Sequence, residues 1–152
     1  FDNIDIATIV EQIEKETALE LKLRNMQFIN NLPESVSVYG NSSMLYSIFR
    51  NLTDNAIAYA GENTTITLNA KEEKDEWLFT FSDNGIGVES KHLSRLFERF
   101  YRIDKGRSRK LGGTGLGLAI VKNAVILHGG NITANNNTDG GLTFNFSITK
   151  NI

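Results

Sequence analysis

The chain has 152 residues, of which 40% are hydrophobic and 22% charged, and its formal net charge is −2. These values indicate one globular domain over 1–152, and so small a charge gives no reason to expect nucleic acid as a partner. The absence of cysteine excludes disulfides and thiolate metal sites, and it is typical of a reducing compartment. No apolar run approaches the roughly 18 residues of a membrane helix. Because the chain starts at Phe1, we expect it to be a piece of a longer protein.

Two helices and two short extended pieces are predicted for the first part of the chain. A helix is expected over 5–25, with Asp5 as its candidate N-cap, and extended pieces over 27–30 and 36–39. A second helix begins at Asn41 and ends at Gly61, and its apolar residues recur at helical spacing. This stripe consists of Leu45, Ile48, Phe49, Leu52, Ala56 and Tyr59.

Alternating apolar and polar residues predict strands over 65–70 and 76–82. The segment 88–111 lacks long periodicity, apart from one helical turn near Leu93, and a loop of that length is typical of a lid or of disorder.

A third helix is expected over 116–127, with Ala119, Ile120 and Leu127 facing inward, before a hairpin that pairs 131–135 with 142–149. These elements predict an α+β fold. It is a two-layer α/β sandwich in which a mixed, mostly antiparallel sheet of about five strands is covered on one face by three helices.

The motif Asn51-Leu-Thr-Asp-Asn55-Ala places two asparagines one helical turn apart, on one face of the second helix. They flank its apolar stripe and are therefore expected at the rim of a pocket. A carboxamide oxygen is a hard, neutral ligand that suits a Mg²⁺ ion already sharing its shell with phosphate oxygens. Taken alone, the pair is more often two surface asparagines on a polar face.

The motif Asp83-Asn-Gly85-Ile-Gly87 closes a strand that is rich in aromatic residues. A carboxylate there can accept a charge-assisted hydrogen bond from an exocyclic amine, which adenine has and guanine replaces with a carbonyl oxygen. Glycine lets the backbone approach a ligand closely. The alternative is a type I′ hairpin turn at Asn84-Gly85, although the residues that follow make a poor return strand.

The glycine-rich stretch Gly112–Leu118 leads directly into the third helix. Backbone N–H groups at such a helix start bind phosphate, helped by the helix dipole. The stretch is not a P-loop, because Leu118 stands where a lysine is required, and its spacing does not fit the dinucleotide fingerprint. It is either a phosphate cradle of another kind or a flexible hinge.

A basic segment lies between these two glycine motifs. Residues 98–110 hold six basic and two acidic residues and overlap the motif Phe97-Glu-Arg-Phe100-Tyr101-Arg102. Aromatic side chains can pin a lid to the body of the domain while Arg and Lys reach phosphates. An exposed protein-binding loop is the other interpretation. Of the two histidines, His128 is expected to be structural, at a helix end, and His92 to have no specific role.

With these residues in view, the chain resembles the catalytic ATP-binding domain (HATPase_c) of bacterial sensor histidine kinases. That domain belongs to the GHKL superfamily, with type II topoisomerases, a heat-shock chaperone family and mismatch-repair ATPases, and has a Bergerat-type fold. The resemblance covers essentially the whole chain and rests on four boxes in a fixed order. They are the N box (51–59), the G1 box (83–87), the F box (97–102) and the G2 box (112–118).

The resemblance implies a role for each matching position. Asn55 would ligate Mg²⁺ with Asn51 beside it near the phosphates, as the catalytic pair, and Asp83 would hold the adenine amine. Thr143 resembles a threonine of the family's final strand that lies near the adenine. The further nucleotide-binding residues would be Tyr59, Gly85, Ile86, Gly87, Tyr101, Lys105, Arg107, Gly113, Thr114, Gly115, Leu116 and Gly117.

The family also implies partners and a location. They are a dimerisation and histidine-phosphotransfer domain of the same protein and the receiver domain of a response regulator. The domain would be cytoplasmic and monomeric in isolation, within a homodimeric protein anchored in the inner membrane. No phosphoacceptor histidine is recognisable here, so the chain alone should not autophosphorylate. Ala58 stands where the family often has a lysine, which puts one phosphate contact in doubt.

The superfamily's ATP-hydrolysing members place a glutamate four residues before the metal-binding asparagine, as a general base for water. Here that residue is Asn51, which cannot accept a proton in that way. The sequence therefore favours transfer of the γ-phosphate to a histidine. The alternatives are a nucleotide-binding signalling module without catalysis and a GHKL ATPase.

Overall fold

The structure is a computed structural model that describes residues 1–101 and 116–150. Its helices are α1 (Ile6–Leu23), α2 (Ser42–Tyr59), α3 (Ser90–Leu93) and α4 (Gly117–Leu127). Its strands are β1 (Asp2–Asp5), β2 (Gln27–Asn30), β3 (Ser37–Gly40), β4 (Thr65–Glu72), β5 (Glu76–Asp83), β6 (Ile132–Asn136) and β7 (Leu142–Thr149). None of the helices in these two ranges is long and apolar enough to cross a membrane.

The main sheet has five strands in the order β2-β4-β5-β7-β6. The pair β2–β4 is parallel and the other pairs are antiparallel. Apolar side chains of the central strands alternate toward the helices, with the buried residues Ile66, Leu68, Phe79, Phe81, Phe144 and Phe146. The predicted α+β sandwich with a mixed, mostly antiparallel sheet is confirmed.

Both long helices begin where they were predicted to begin, and Asp5 is the N-cap that the sequence indicates for α1. The Asp5 carboxylate accepts a hydrogen bond from the Ala7 N–H, and the Asn41 side chain accepts one from the Met44 N–H. Such caps satisfy backbone donors that have no partner inside the helix. Asp5 also accepts a hydrogen bond from the Val36 N–H at 2.9 Å, which joins the start of α1 to the segment before β3.

A small second sheet pairs β1 with β3 in antiparallel register. β1 is not predictable from the sequence, because four residues that mix Asp, Asn and Ile show too few periods to indicate a strand. The sheet brings the start of the chain to the end of β3, and Phe1, which precedes β1, stacks on the ring of His128.

The core centres on three aromatic rings that join α2 to the sheet. The ring of Phe79 stacks on that of Phe146 at 5.1 Å between centroids, and Phe49 of α2 packs against both at 5.4 and 5.6 Å. Aromatic pairs at such distances add to the stabilisation that burial provides. This cluster fixes α2 over β5 and β7.

The inward-facing residues predicted for α4 are wrong. Ile120 and Leu127 are 45% and 55% exposed, and Ala119 is half-buried. The buried residues are instead Val121, Ala124 and Val125. Because α4 is apolar almost all round, it has no single stripe that could reveal its orientation, and its contact with α2 decides which face is buried.

Candidate functional site

The asparagine pair lies where α2 passes the start of α4. Asn51 and Asn55 are both half-buried, one turn apart on α2. The Asn51 Nδ2 donates to the carbonyl oxygen of Ser47 at 2.8 Å. Its Oδ1 faces Gly117, since a Cβ on Gly117 would come within 3.0 Å of that atom. The structure therefore brings the N box and the end of the G2 box together, which sequence spacing alone could not establish.

Asp83 ends β5 with its carboxylate on the helix side of the sheet. The residue is 9% exposed and pairs in register with the fully buried Ile66. Its Oδ1 accepts hydrogen bonds from the N–H groups of Gly85 at 2.9 Å and Leu142 at 3.4 Å. Burial raises the pKa of this carboxyl above its ordinary value, and the two backbone donors oppose that rise.

The G1 glycines allow the loop after β5 to pack tightly against α2. A Cβ on Gly85 would lie 2.1 Å from the carbonyl oxygen of Ala60, and the Ile86 N–H donates to that same oxygen at 3.2 Å. Gly87 has φ +69°, a conformation that glycine adopts without strain. Ile86 is 72% exposed. The loop does not return as a hairpin, since β5 pairs with β4 and β7, so the type I′ alternative is wrong.

The turn between β6 and β7 holds this loop through side chains that the sequence analysis missed. Asn136 accepts from the Val88 N–H at 2.9 Å and donates to the Val88 carbonyl at 2.5 Å. Asn137 donates to the Asp83 carbonyl at 2.9 Å. A run of three asparagines before Asp-Gly-Gly is the available signal, but such a run is also typical of any polar turn.

Thr143 lies on the opposite face of the sheet from the Asp83 carboxylate, so the structure does not bring these two predicted side chains together. Its hydroxyl is 2.8 Å from the Ser82 hydroxyl and donates to Asn137, next to a polar groove of about 640 Å³ on the helix-free face. Successive side chains of a strand point to opposite faces. Leu142, not Thr143, is therefore the residue of β7 beside Asp83, and its N–H donates to that carboxylate.

Three of the remaining predicted residues lie in the described ranges, and five lie outside them. Tyr59 is half-buried near the end of α2, and Leu116 precedes α4. Tyr101 hydrogen-bonds through its hydroxyl to His92, and the guanidinium of Arg95 lies 4.3 Å from its ring centroid. Other predicted ligands lie outside the described residues, namely Lys105, Arg107, Gly113, Thr114 and Gly115.

The F box contacts the body of the domain as expected of an anchor. The ring of Phe97 packs edge-on against Phe144 of β7 at 6.0 Å between centroids, and Leu96 is 8% exposed. Phe100 is instead 66% exposed, with a positive φ of 63°. One aromatic residue of the motif therefore holds the segment down, and another does not.

The described residues fit an adenine nucleotide with a hard cation. Asp83 offers a buried acceptor, Gly117 places no side chain against Asn51 at the start of α4, and Asn55 would add a neutral oxygen ligand. No group of three or more His, Cys, Asp or Glu in the two described ranges could hold a metal ion. Mg²⁺ bound together with a nucleotide usually takes one or two protein ligands and completes its shell with phosphate oxygens and water.

Comparison with known proteins gives a family match. The family model described as histidine kinase-, DNA gyrase B-, and HSP90-like ATPase (HATPase_c) matches residues 40–152. The sensor histidine kinase WalK of Bacillus subtilis is 38% identical over 130 residues, covering 84% of this chain and 21% of that protein. The sensor-like histidine kinase SenX3 of Mycolicibacterium smegmatis is 34% identical over 149 residues, covering 98% and 39%.

The chain thus spans well under half the length of these relatives. Among solved structures, the nucleotide-free catalytic domain of histidine kinase ThkA matches with a TM-score of 0.85 and 22% identity, covering 100% of both chains. The mycobacterial sensor histidine kinase MprB matches at 0.82 and 22%, covering 97% of this chain and 96% of that one. These structures share the fold. The family model matches residues 40–152, which are most of this chain. The chain therefore belongs to the family of histidine kinase-, DNA gyrase B- and HSP90-like ATPases.

Proposed function

We propose that this chain is the catalytic domain of a two-component sensor histidine kinase, which binds Mg-ATP and presents the γ-phosphate to a histidine on a separate dimerisation domain. The observation that carries the proposal is the buried Asp83 carboxylate, held by two backbone donors, together with the contact between Asn51 of α2 and Gly117 of α4. The curated relatives named above are sensor histidine kinases.

Adenine would be recognised by Asp83. Its second carboxylate oxygen, Oδ2, has no hydrogen bond among the described residues, because Gly85 and Leu142 both donate to Oδ1. An exocyclic amine can donate to such an oxygen, whereas the carbonyl of guanine would oppose it. This contrast gives adenine its advantage.

The phosphates would lie between α2 and the start of α4. Asn55 would ligate Mg²⁺ that also binds phosphate oxygens, and Asn51 would stay close to the phosphates. Mg²⁺ supplies neutralisation of the developing phosphate charge, which is what phosphoryl transfer chiefly needs. Because Asn51 is not a base, the site would activate water poorly and preserve ATP for the incoming histidine.

The partners follow from the same role. The acceptor would be the dimerisation domain of the same protein, and the phosphate would then pass to a response regulator. The relative ThkA has been solved in complex with the response regulator protein TrrA. We propose a cytoplasmic location for the domain, within a membrane-anchored homodimer.

The test is calorimetric titration of this chain with ATP, ADP and GTP, each with and without Mg²⁺. The proposal expects adenine-selective binding that Mg²⁺ strengthens. Phosphorylation of a supplied dimerisation domain by this chain, with little ATP hydrolysis in its absence, would then separate a kinase from an ATPase. Equal binding of GTP, or none of any nucleotide, would contradict the proposal.

A further inference from the structure

The two helices that carry the phosphate side of the proposed site pack against each other, and two of their contacts define how they are placed along each other. At the start of α4, Gly117 lies against Asn51 in the middle of α2. Near the other end, Asn41, which caps α2, contacts His128, which follows α4. The helices therefore run antiparallel, and the two points are about 15 Å apart by the rise of an α-helix.

His128 joins these helix ends with both of its ring nitrogens. Its Nε2 lies 3.1 Å from the backbone nitrogen of Asn41, and its Nδ1 lies 2.7 Å from the carbonyl oxygen of Ala124. An amide N–H can only donate and a carbonyl can only accept, so Nδ1 carries the proton and Nε2 accepts. The ring is the neutral Nδ1–H tautomer, and one residue satisfies a backbone group on each helix.

The surroundings of His128 hold the ring in one place. The residue is 3% exposed, and the ring of Phe1 stacks on it at 4.8 Å with an 18° angle between the planes. On the other side, a Cβ on Gly40 would lie 2.5 Å from Cδ2 and 2.6 Å from Nε2 of the imidazole. Gly40 is therefore the residue that lets the backbone before Asn41 come close enough to be bound.

We infer that His128 is a positioning residue for the phosphate half of the nucleotide site. It fixes how far α2 can shift along α4, and so fixes the distance from Asn51 and Asn55 to the start of α4. The inference rests on the proposed function, because it requires phosphates to bind between these helices. Sub-ångström placement of such groups matters, since small displacements weaken a preorganised site strongly.

A selective effect on phosphate binding distinguishes positioning from simple stabilisation. Adenine recognition depends on Asp83 of the sheet, which His128 does not touch, whereas phosphate and Mg²⁺ binding depend on α2 and α4. Because Phe49 holds α2 over the sheet, loss of the His128 contact should let α4 shift along α2, which weakens Mg-ATP binding and leaves adenosine binding unchanged. Partial unfolding would weaken the binding of both ligands by the same factor.

The test compares two substitutions of His128, each of which places a polar atom where one of the two ring nitrogens lies. In His128→Asn the side-chain amide can still donate to Ala124 but does not reach Asn41. In His128→Gln the amide oxygen reaches the position of Nε2 and can accept from Asn41. Calorimetry at a temperature where both variants are folded should show that His128→Asn weakens Mg-ATP binding about tenfold, the effect of roughly one lost hydrogen bond. Adenosine affinity should stay within about twofold of the unchanged chain.

His128→Gln should restore Mg-ATP binding to within about threefold of the unchanged chain. Equal losses in the two variants, equal losses for the two ligands, or no loss in His128→Asn would each overturn the inference. Gly40→Ala provides an independent approach, because its Cβ should push the ring away from Asn41 and cause the same selective loss. If the unchanged chain binds neither ligand, the proposed function fails and this inference fails with it.

Discussion

Asp83 combines two demands that oppose each other. Its carboxyl is buried, which raises its pKa, yet recognition of an amine needs the ionised form. A raised pKa in the folded state means that this group contributes stability below its unfolded pKa and loses that contribution as the pH rises through the folded pKa. Above that range the pocket holds an ionised, partly satisfied carboxylate. An adenine amine bound there would relieve part of the cost.

The affinity for ATP should therefore fall as the pH falls through the raised pKa of Asp83. Protonation removes the charge that strengthens the hydrogen bond to the adenine amine, so the affinity should fall by about ten- to a hundredfold and then level off once the carboxyl is protonated. Calorimetry from about pH 8 to about pH 4 would measure it, since ordinary aspartate titrates near the lower end. Asp83→Asn should bind ATP more weakly at neutral pH and show a flatter profile. A steep loss that persists in Asp83→Asn would assign the titration to another group.

The metal assignment gives a second prediction at the residue scale. Asn55→Ala removes the proposed oxygen ligand from a half-buried helix position and should cost little stability, because alanine is a good helix former. We expect Mg²⁺ to lose its effect on ATP affinity in this variant. The comparison is the ratio of the ATP dissociation constants with and without Mg²⁺.

Asp54→Asn is a matched control for Asn55→Ala. Asp54 is the adjacent residue of α2, but it is exposed and pairs with Arg50 at 3.1 Å, away from the proposed ligand. This variant should lose only the weak contribution of an exposed ion pair, below about 1 kcal/mol, and keep the Mg²⁺ effect. An undiminished Mg²⁺ effect in Asn55→Ala would contradict the assignment.

At the scale of elements, the contact between the G1 loop and the end of α2 shapes the pocket. Gly85→Ala should disrupt it, because the new Cβ would lie 2.1 Å from the Ala60 carbonyl oxygen and the backbone would have to move. ATP affinity should fall by more than tenfold, with a stability loss of about 1–3 kcal/mol, the typical cost of overpacking. Calorimetry and urea denaturation would measure the two effects.

Gly61→Ala tests whether backbone strain at the end of α2, without a clash against the G1 loop, is enough to weaken ATP binding. Gly61 lies just beyond the same end of α2 with φ +105°, but a Cβ there meets nothing within 4 Å. The substitution should therefore lower the free energy of unfolding by about 1 kcal/mol through backbone strain and leave ATP binding intact. If Gly61→Ala weakened binding as much as Gly85→Ala, the close approach of Gly85 to Ala60 would not be what shapes the site.

The elements that could be predicted from sequence are those that bury one face against a larger layer. The stripe of α2 and the alternation in β5 each match the face that the structure buries. Which residues of β7 share a face with Asp83 depends on the pairing of β7 with β5, which places Thr143 opposite Ser82. The orientation of α4 and the anchoring of the G1 loop by Asn136 are likewise set by tertiary contacts. Short-range patterns do not contain that information.

At the scale of the whole molecule, the main sheet separates two environments. Its helix side carries aromatic residues such as Phe79 and Phe146, and its other side carries hydroxyl and amide groups such as Thr80 and Asn145. Hydrophobic burial is therefore concentrated in a single layer between helices and sheet. Because Asp83 and α2 both border that layer, the core that stabilises the fold also sets the relative position of the two halves of the nucleotide site.

Two neighbouring residues of β5 test this division. Phe79→Ala should lower the free energy of unfolding by about 3–5 kcal/mol, because Phe79 is 1% exposed and packs against Phe49 and Phe146. Leu78→Ala should cost no more than about 1 kcal/mol, since Leu78 is 37% exposed on the other face. Urea denaturation measures both. Similar losses in the two variants would show that the helix-free face contributes to the core.

The stability that bound ATP adds to each variant then shows whether the aromatic core also positions the nucleotide site. A nucleotide at a free concentration of 100 times its dissociation constant stabilises a folded protein by about 2.7 kcal/mol. At one fixed ATP concentration, Leu78→Ala should gain as much stability as the unchanged chain, because its pocket is intact. Phe79→Ala should gain less stability from ATP. In this variant α2 loses one of the two rings that fix it over the sheet, so the residues of α2 that would bind the phosphates shift. An equal gain in both variants would mean that the pocket keeps its geometry independently of the aromatic core.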